Sequence, residues 1–192
     1  MKIFIDYTDT FITGLNTGIQ RVVRNILKNR KLMEEITGLE TVPVLFTGGF
    51  IIKENTGKGL NLISKIRKLT MKSYRLYKVA ARYYKRFSRY RIDLLIYRIF
   101  GKKANVEEKD ILLLADAFWS EEYNEDFLRL ASKTNIILLI HDIVPITNPD
   151  TQPEHIVRAF NTKVMNVIPG SKLILTTSNS EANIIRDFLK SK

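Results

Sequence analysis

The stretch "NIILLIHDIVPITNP" (residues 135–149) sets five apolar residues in a row and follows them at once with a histidine, an aspartate and two prolines. An unbroken apolar run offers no polar side to water, so it reads as a strand buried on both faces of a sheet rather than one with a wet face. Four other runs read the same way: "KIFIDY" (2–7), "TVPVLF" (41–46), "DILLLA" (110–115) and "KLILTT" (172–177). Helical spacing fills the gaps between most of them. Ile19, Val22, Val23, Ile26 and Leu27 recur at steps of three and four with Arg21, Arg24 and Lys28 opposite; Ile156, Ala159, Phe160, Val164 and Val167 trace a later helix, and Ile184, Ile185, Phe188 and Leu189 a last one. Strands alternating with helices predict an α/β fold, a Rossmann-like parallel sheet flanked by helices.

Three helix starts carry the S/T-x-x-E/Q pattern of a capping box: "TGIQ" (17–20), "TQPE" (151–154) and "SNSE" (178–181). They fall just after strands or one loop beyond. Ligands of open parallel sheets bind at the carboxyl ends of the strands, so that edge is where a site is expected. His141 and Asp142 follow their strand directly at this edge, where a histidine can donate to a ligand oxygen or relay a proton; a lone histidine in a structural role is the competing reading. The loop "TDTFITGLNTGIQR" carries Gly14 and Gly18, which let backbone approach a ligand, and it ends at a helix amino terminus able to face a phosphate. It matches neither G-x-G-x-x-G nor the P-loop. His155, in the first turn of a helix, reads as structural.

At 192 residues the chain suits one domain, 1–192, and its 45% hydrophobic and 27% charged composition is that of a globular protein. Cysteine is absent, which removes disulfides, zinc-thiolate sites and thiol nucleophiles. The two histidines are far apart and there is no D-x-D pair to hold Mg²⁺, so no metal or cofactor is expected. Asp6 interrupts what would be a signal-peptide core, and no apolar run approaches the ~20 residues that span a bilayer. A cytoplasmic protein, peripheral on the inner face of the plasma membrane, is the expectation.

The net charge of +11 is unevenly spread. Residues 58–103 hold fifteen Lys or Arg against one acid, Asp93, a local +14 that leaves −3 for everything else. Within this segment, apolar and small residues recur at steps of four and three from Leu62 to Leu94, which predicts a long basic helical insertion. Lys65, Lys68, Lys72, Arg75, Arg82, Lys85, Arg86 and Arg89 occupy its other faces, and six of the eight tyrosines lie between 74 and 97. An acid-free face repels itself, so an anionic membrane surface is as good a reading as a solvated helix packed on the sheet. Nucleic acid is a third reading, though no recognisable nucleic-acid motif accompanies the segment.

Taken in order, "IDYTDTFITGLNTGIQRVVRNIL", "LLIHDIVPITNP" and "LILTTSNSEANIIRDFL" resemble the amino-terminal, acceptor-side half of a GT-B glycosyltransferase of the family 4 kind. The resemblance covers residues 3–29 and 110–189 and leaves the basic insertion out. It implies retaining transfer of a sugar from a nucleotide-sugar co-substrate to a glycan or lipid-linked acceptor in polysaccharide biosynthesis. It further implies a catalytic or donor-contacting role for His141 and substrate contacts at Gly14, Asn16, Thr17, Gly18, Asp142, Ser178, Asn179 and Glu181. The family's E-x7-E motif lies in a carboxyl-terminal donor domain, and no two glutamates here are eight positions apart. The expectation is therefore a half-enzyme, inactive until a carboxyl-terminal partner domain or subunit completes it. A non-catalytic membrane-surface or scaffolding module with a transferase-like fold is the alternative.

Overall fold

A computed structural model describes residues 1–13, 15–47, 50–53, 98, 101–120, 123 and 125–191. All five expected strands are present and parallel: β1 (Lys2–Asp6), β2 (Glu40–Thr47), β5 (Ile111–Leu114), β6 (Asn135–Ile140) and β7 (Ser171–Thr176). Two further strands, β3 (Phe50–Lys53) and β4 (Lys102–Lys103), extend one edge in antiparallel fashion, giving the order β4-β3-β2-β1-β5-β6-β7.

The sheet is the middle layer of a sandwich, and alternation along β1 shows why. Phe4 joins a core with Val42, Leu112, Leu138 and Ile140, which is covered by Phe127, Phe160 and Ile185. Its neighbours Ile3 and Ile5 point the other way, into a core with Leu45, Leu113 and Leu139 closed by Ile12 and Val23. The covering side chains belong to α4 (Glu125–Ala131), α6 (Glu154–Val167) and α7 (Asn179–Lys190) on the first face, and to α1 (Thr8–Thr13) and α2 (Gly18–Lys28) on the second. Among the described residues, the remaining α-helices with stated bounds are α3 (Arg30–Thr37), which stops where Gly38 turns left-handed at φ 67°, and the one-turn α5 (Val144–Thr147).

Four expectations change. The segment after β1 is not all loop, because residues 8–13 form α1. The basic insertion does not run as helix to residue 103: Lys102 and Lys103 pair with Lys53 and Ile52, so sheet pairing has claimed its end. "TQPE" is no capping box. Pro149–Thr151 coils into a 3₁₀ turn in which Thr151 Oγ1 donates to Asn148 O at 2.7 Å, and α6 starts behind Pro153. Finally, β7 is an edge strand rather than one buried on both faces, with Leu173 and Leu175 48% and 41% exposed. Gly14 and the eight basic residues singled out between Lys65 and Arg89 lie outside the described residues. Among the described residues, no helix is long and apolar enough to cross a membrane.

Candidate functional site

Between β1 and β5 the chain changes direction of travel across the sheet, since β1 leads to β2 on one side while β5, β6 and β7 follow on the other. Such a switch point opens a crevice at the carboxyl ends of its two strands. Here α1 fills it. Asp6 ends β1, and Asp116 lies two positions beyond Leu114, the register partner of Asp6 on β5. Thr8 donates to Asp6 Oδ1 through both its amide (3.3 Å) and its hydroxyl (2.7 Å), while the Tyr123 hydroxyl donates to Oδ2 at 2.6 Å. Asp116 Oδ2 accepts the Thr10 amide at 2.7 Å, and its Oδ1 accepts the Thr10 hydroxyl and the Ala117 amide, both at 3.0 Å.

Both carboxylates are essentially inaccessible, at 1% and 0% exposure. Every donor just named is neutral, so the charges are solvated by dipoles but not neutralised. Burial accordingly raises the Asp6 carboxyl to about 6 despite the hydrogen bonds from Tyr123 and Thr8. Burial, reinforced by the neighbouring Asp6 charge, raises Asp116 to about 6 as well. The Tyr123 phenol is pushed well above its ordinary value, chiefly by burial and then by the two carboxylates, and stays a donor.

The open part of the carboxyl edge lies one strand over, above β5 and β6. A pocket of about 240 Å³ is lined by Ile19, Trp119, His141, Asp142, Val144, Pro145, Gln152, Ile156 and Phe160. Its lining includes Trp119 and Phe160, whose rings lie 5.0 Å apart and tilted by 60°. The polar lining residues are His141, Asp142 and Gln152. His141 Nε2 lies 3.0 Å from the backbone oxygen of Ala115. A carbonyl can only accept, so this contact places the proton on Nε2 and leaves Nδ1 as the free ring nitrogen. Thr177 holds the same residue from behind, its hydroxyl donating to His141 O at 3.0 Å.

The expected site residues are only partly brought together. His141 and Asp142 reach the pocket; Asp142 Oδ1 also accepts the amide of Val144, the first residue of α5, at 3.2 Å. Thr17 is the amino-terminal cap of α2, as the box "TGIQ" predicts: its amide donates to Gln20 Oε1 at 3.2 Å and its hydroxyl donates to the same oxygen. Gln20 then passes its Nε2 to Asp9 Oδ2 at 3.1 Å, tying the loop to α1. Asn16 receives the Arg24 guanidinium at 3.1 Å. An added side-chain carbon at Gly18 would meet open space, so the glycine answers no crowding there, and it is Ile19 that lines the pocket. Ser178 is an ordinary helix cap, accepting the Glu181 amide at 3.1 Å, and Ser178, Asn179 and Glu181 do not line the pocket. His155 is exposed on the first turn of α6, as expected of a residue without a site.

Sequence reasoning missed Asp6, Asp116, Tyr123 and Trp119. Asp6 and Asp116 follow apolar runs at the carboxyl edge just as His141 does, and Trp119 is the only tryptophan of the chain, so those signals were present. No family model, no curated protein and no solved structure matches the chain.

Proposed function

We propose that this chain is the acceptor-side domain of a retaining GT-B-type glycosyltransferase, working with a nucleotide-sugar-binding domain supplied in the same polypeptide or by a partner. The observation that supports the reading most is the pocket itself: a hollow of about 240 Å³ at the carboxyl edge whose lining combines the aromatic Trp119 and Phe160 with the polar His141, Asp142 and Gln152. A pyranose has an apolar face for the Trp119 indole and hydroxyls for His141, Asp142 and Gln152. In this reading His141 contacts the sugar or the reaction centre, and Asp142 orients a hydroxyl. Asn16, Thr17 and Gly18 present the α2 amino terminus to phosphate oxygens. Ser178, Asn179 and Glu181 would then face the partner domain rather than the pocket. The basic segment from Lys65 to Arg89 would dock the assembly on anionic lipid headgroups beside a lipid-linked acceptor.

Saturation-transfer NMR with UDP-glucose, GDP-mannose and their methyl glycosides tests it. Wild-type chain is expected to saturate pyranose protons, and Trp119→Ala and His141→Ala to weaken binding about tenfold, the loss of one ring contact or one hydrogen bond. Absence of saturation for every glycoside and nucleotide sugar would remove the proposal. The second reading, a non-catalytic surface module, is favoured by the His141–Ala115 hydrogen bond, which gives the imidazole a structural job. It predicts that His141→Ala lowers stability and leaves vesicle binding untouched.

A further inference from the structure

We propose that Asp6 and Asp116 form a proton-operated latch that sets how firmly α1 and the Asp116–Trp119 turn are held against the pocket. The inference does not depend on what the pocket binds. Its basis is the placement of two buried carboxylates at the ends of adjacent strands, bridged by one short helix.

Each element packed around the pair contributes a group. From α1 come the Thr8 and Thr10 donors and a third acid, Asp9, whose charge also weighs on Asp6. Tyr123 adds a phenol ahead of α4. From β2 comes the Phe46 amide, which donates to the Thr8 hydroxyl at 2.7 Å and so orients it toward Asp6. Beyond β6, His141 lies on the Ala115 carbonyl, one residue before Asp116. Among the described residues, no lysine or arginine forms an ion pair with either carboxylate. Like charges desolvated together and met only by dipoles favour holding a proton between them. Burial raises both carboxyls to about 6, so the pair changes charge in the near-neutral range.

The pair is mechanically connected to both walls of the pocket. Asp116 anchors a turn in which its Oδ1 accepts the Ala117 amide and its backbone oxygen accepts the Phe118 amide at 2.8 Å, and the next residue is Trp119. On the other side α1 reaches Ile19 through Asp9, Gln20 and Thr17. With both carboxyls protonated, Thr8 and Thr10 clamp α1 across two neutral strand ends. Once the protons leave, the carboxylates repel, α1 loosens, and Trp119 and Ile19 shift.

Trp119 is the sole tryptophan, so its emission reports on this wall alone. Titration of the whole chain from about pH 5 to 8 is expected to give an emission change with a midpoint near 6. Histidine titrates in the same window and His141 shares the pocket, so the control is His141→Gln, in which the change should persist. In the Asp6→Asn/Asp116→Asn double variant, which removes both titrating groups, it should disappear. A flat titration in the wild type, loss of the change in His141→Gln, or its survival in the double variant would each overturn the latch. If circular dichroism shows the double variant unfolded, Tyr123→Phe decides instead: it removes a donor to the Asp6 carboxylate and should raise the midpoint by about one pH unit. An unmoved midpoint there also overturns it.

Discussion

At the scale of single residues, the two buried aspartates make a prediction about stability. Their folded-state carboxyls sit at about 6, above the ordinary 3.8, so the folded form binds protons more readily than the unfolded chain does. A raised acid contributes stability that is complete below the unfolded value and is lost as pH rises through about 6. Stability, and the melting temperature with it, should therefore fall between about pH 3.5 and 7, by an amount on the order of 3 kcal/mol per group. Asp6→Asn, which keeps the shape without the charge, should flatten that dependence and raise Tm at the alkaline end; a steeper or unchanged slope by calorimetry contradicts the assignment. For His141, ¹⁵N NMR of the imidazole at about pH 8 should find the proton on Nε2, the nitrogen beside the Ala115 carbonyl. A proton on Nδ1 would mean that the carbonyl contact does not form.

The site was legible where chemistry follows from chain position and illegible where it follows from pairing. That His141 would stand at the ligand edge came from one rule, the apolar run ending at the residue before it. Its hydrogen bond to Ala115 spans 26 positions and has no local signature. Asp6 and Asp116 are 110 positions apart in sequence and meet only because β1 and β5 are neighbours in the sheet. Trp119 follows a buried turn that no periodicity marks.

At the scale of elements, α7 and β6 offer separable tests. Ser178 accepts the Glu181 amide, so Ser178→Ala should cost about 1 kcal/mol by chemical denaturation and leave pyranose binding in place, as fits a cap outside the pocket. Loss of binding with unchanged stability would instead put Ser178 in the site. Leu138 is fully buried on the first core face, and Leu138→Ala should cost about 2–5 kcal/mol. The four inner parallel strands were readable because burial on both faces demands continuous apolar sequence, and edge strand β7 carries the same kind of run. Four-residue β3 escaped notice because it is short and borrows its identity from pairing with β2. The helix α1 was equally hidden: its buried positions are Thr8, Asp9, Thr10 and Ile12, mostly polar, so the hydrophobic pattern that marks α2 is missing. "TQPE" had the letters of a cap, but Pro153 forces an extended approach and moves the start of α6 past Thr151.

At the scale of the whole molecule, the charge is concentrated in one stretch of the sequence, residues 58–103. Vesicles containing about 30% phosphatidylserine should retain the protein at low salt and release it as ionic strength rises, since screening shortens the reach of the Lys and Arg charges. Replacing Lys65, Lys68, Lys72 and Arg75 by Gln should weaken retention by about 1 kcal/mol per charge. Retention unchanged by both salt and these substitutions would end the membrane reading. The structure also says how the segment is attached. Lys53 and Lys102 are register partners on β3 and β4, so the chain leaves the sheet and returns to it at neighbouring points. Lys53 and Lys102 could therefore be joined directly by Asn-Gly as a tight hairpin in the same register. The pairing holds the two ends of the intervening charged sequence about 5 Å apart, whatever the length of chain between them.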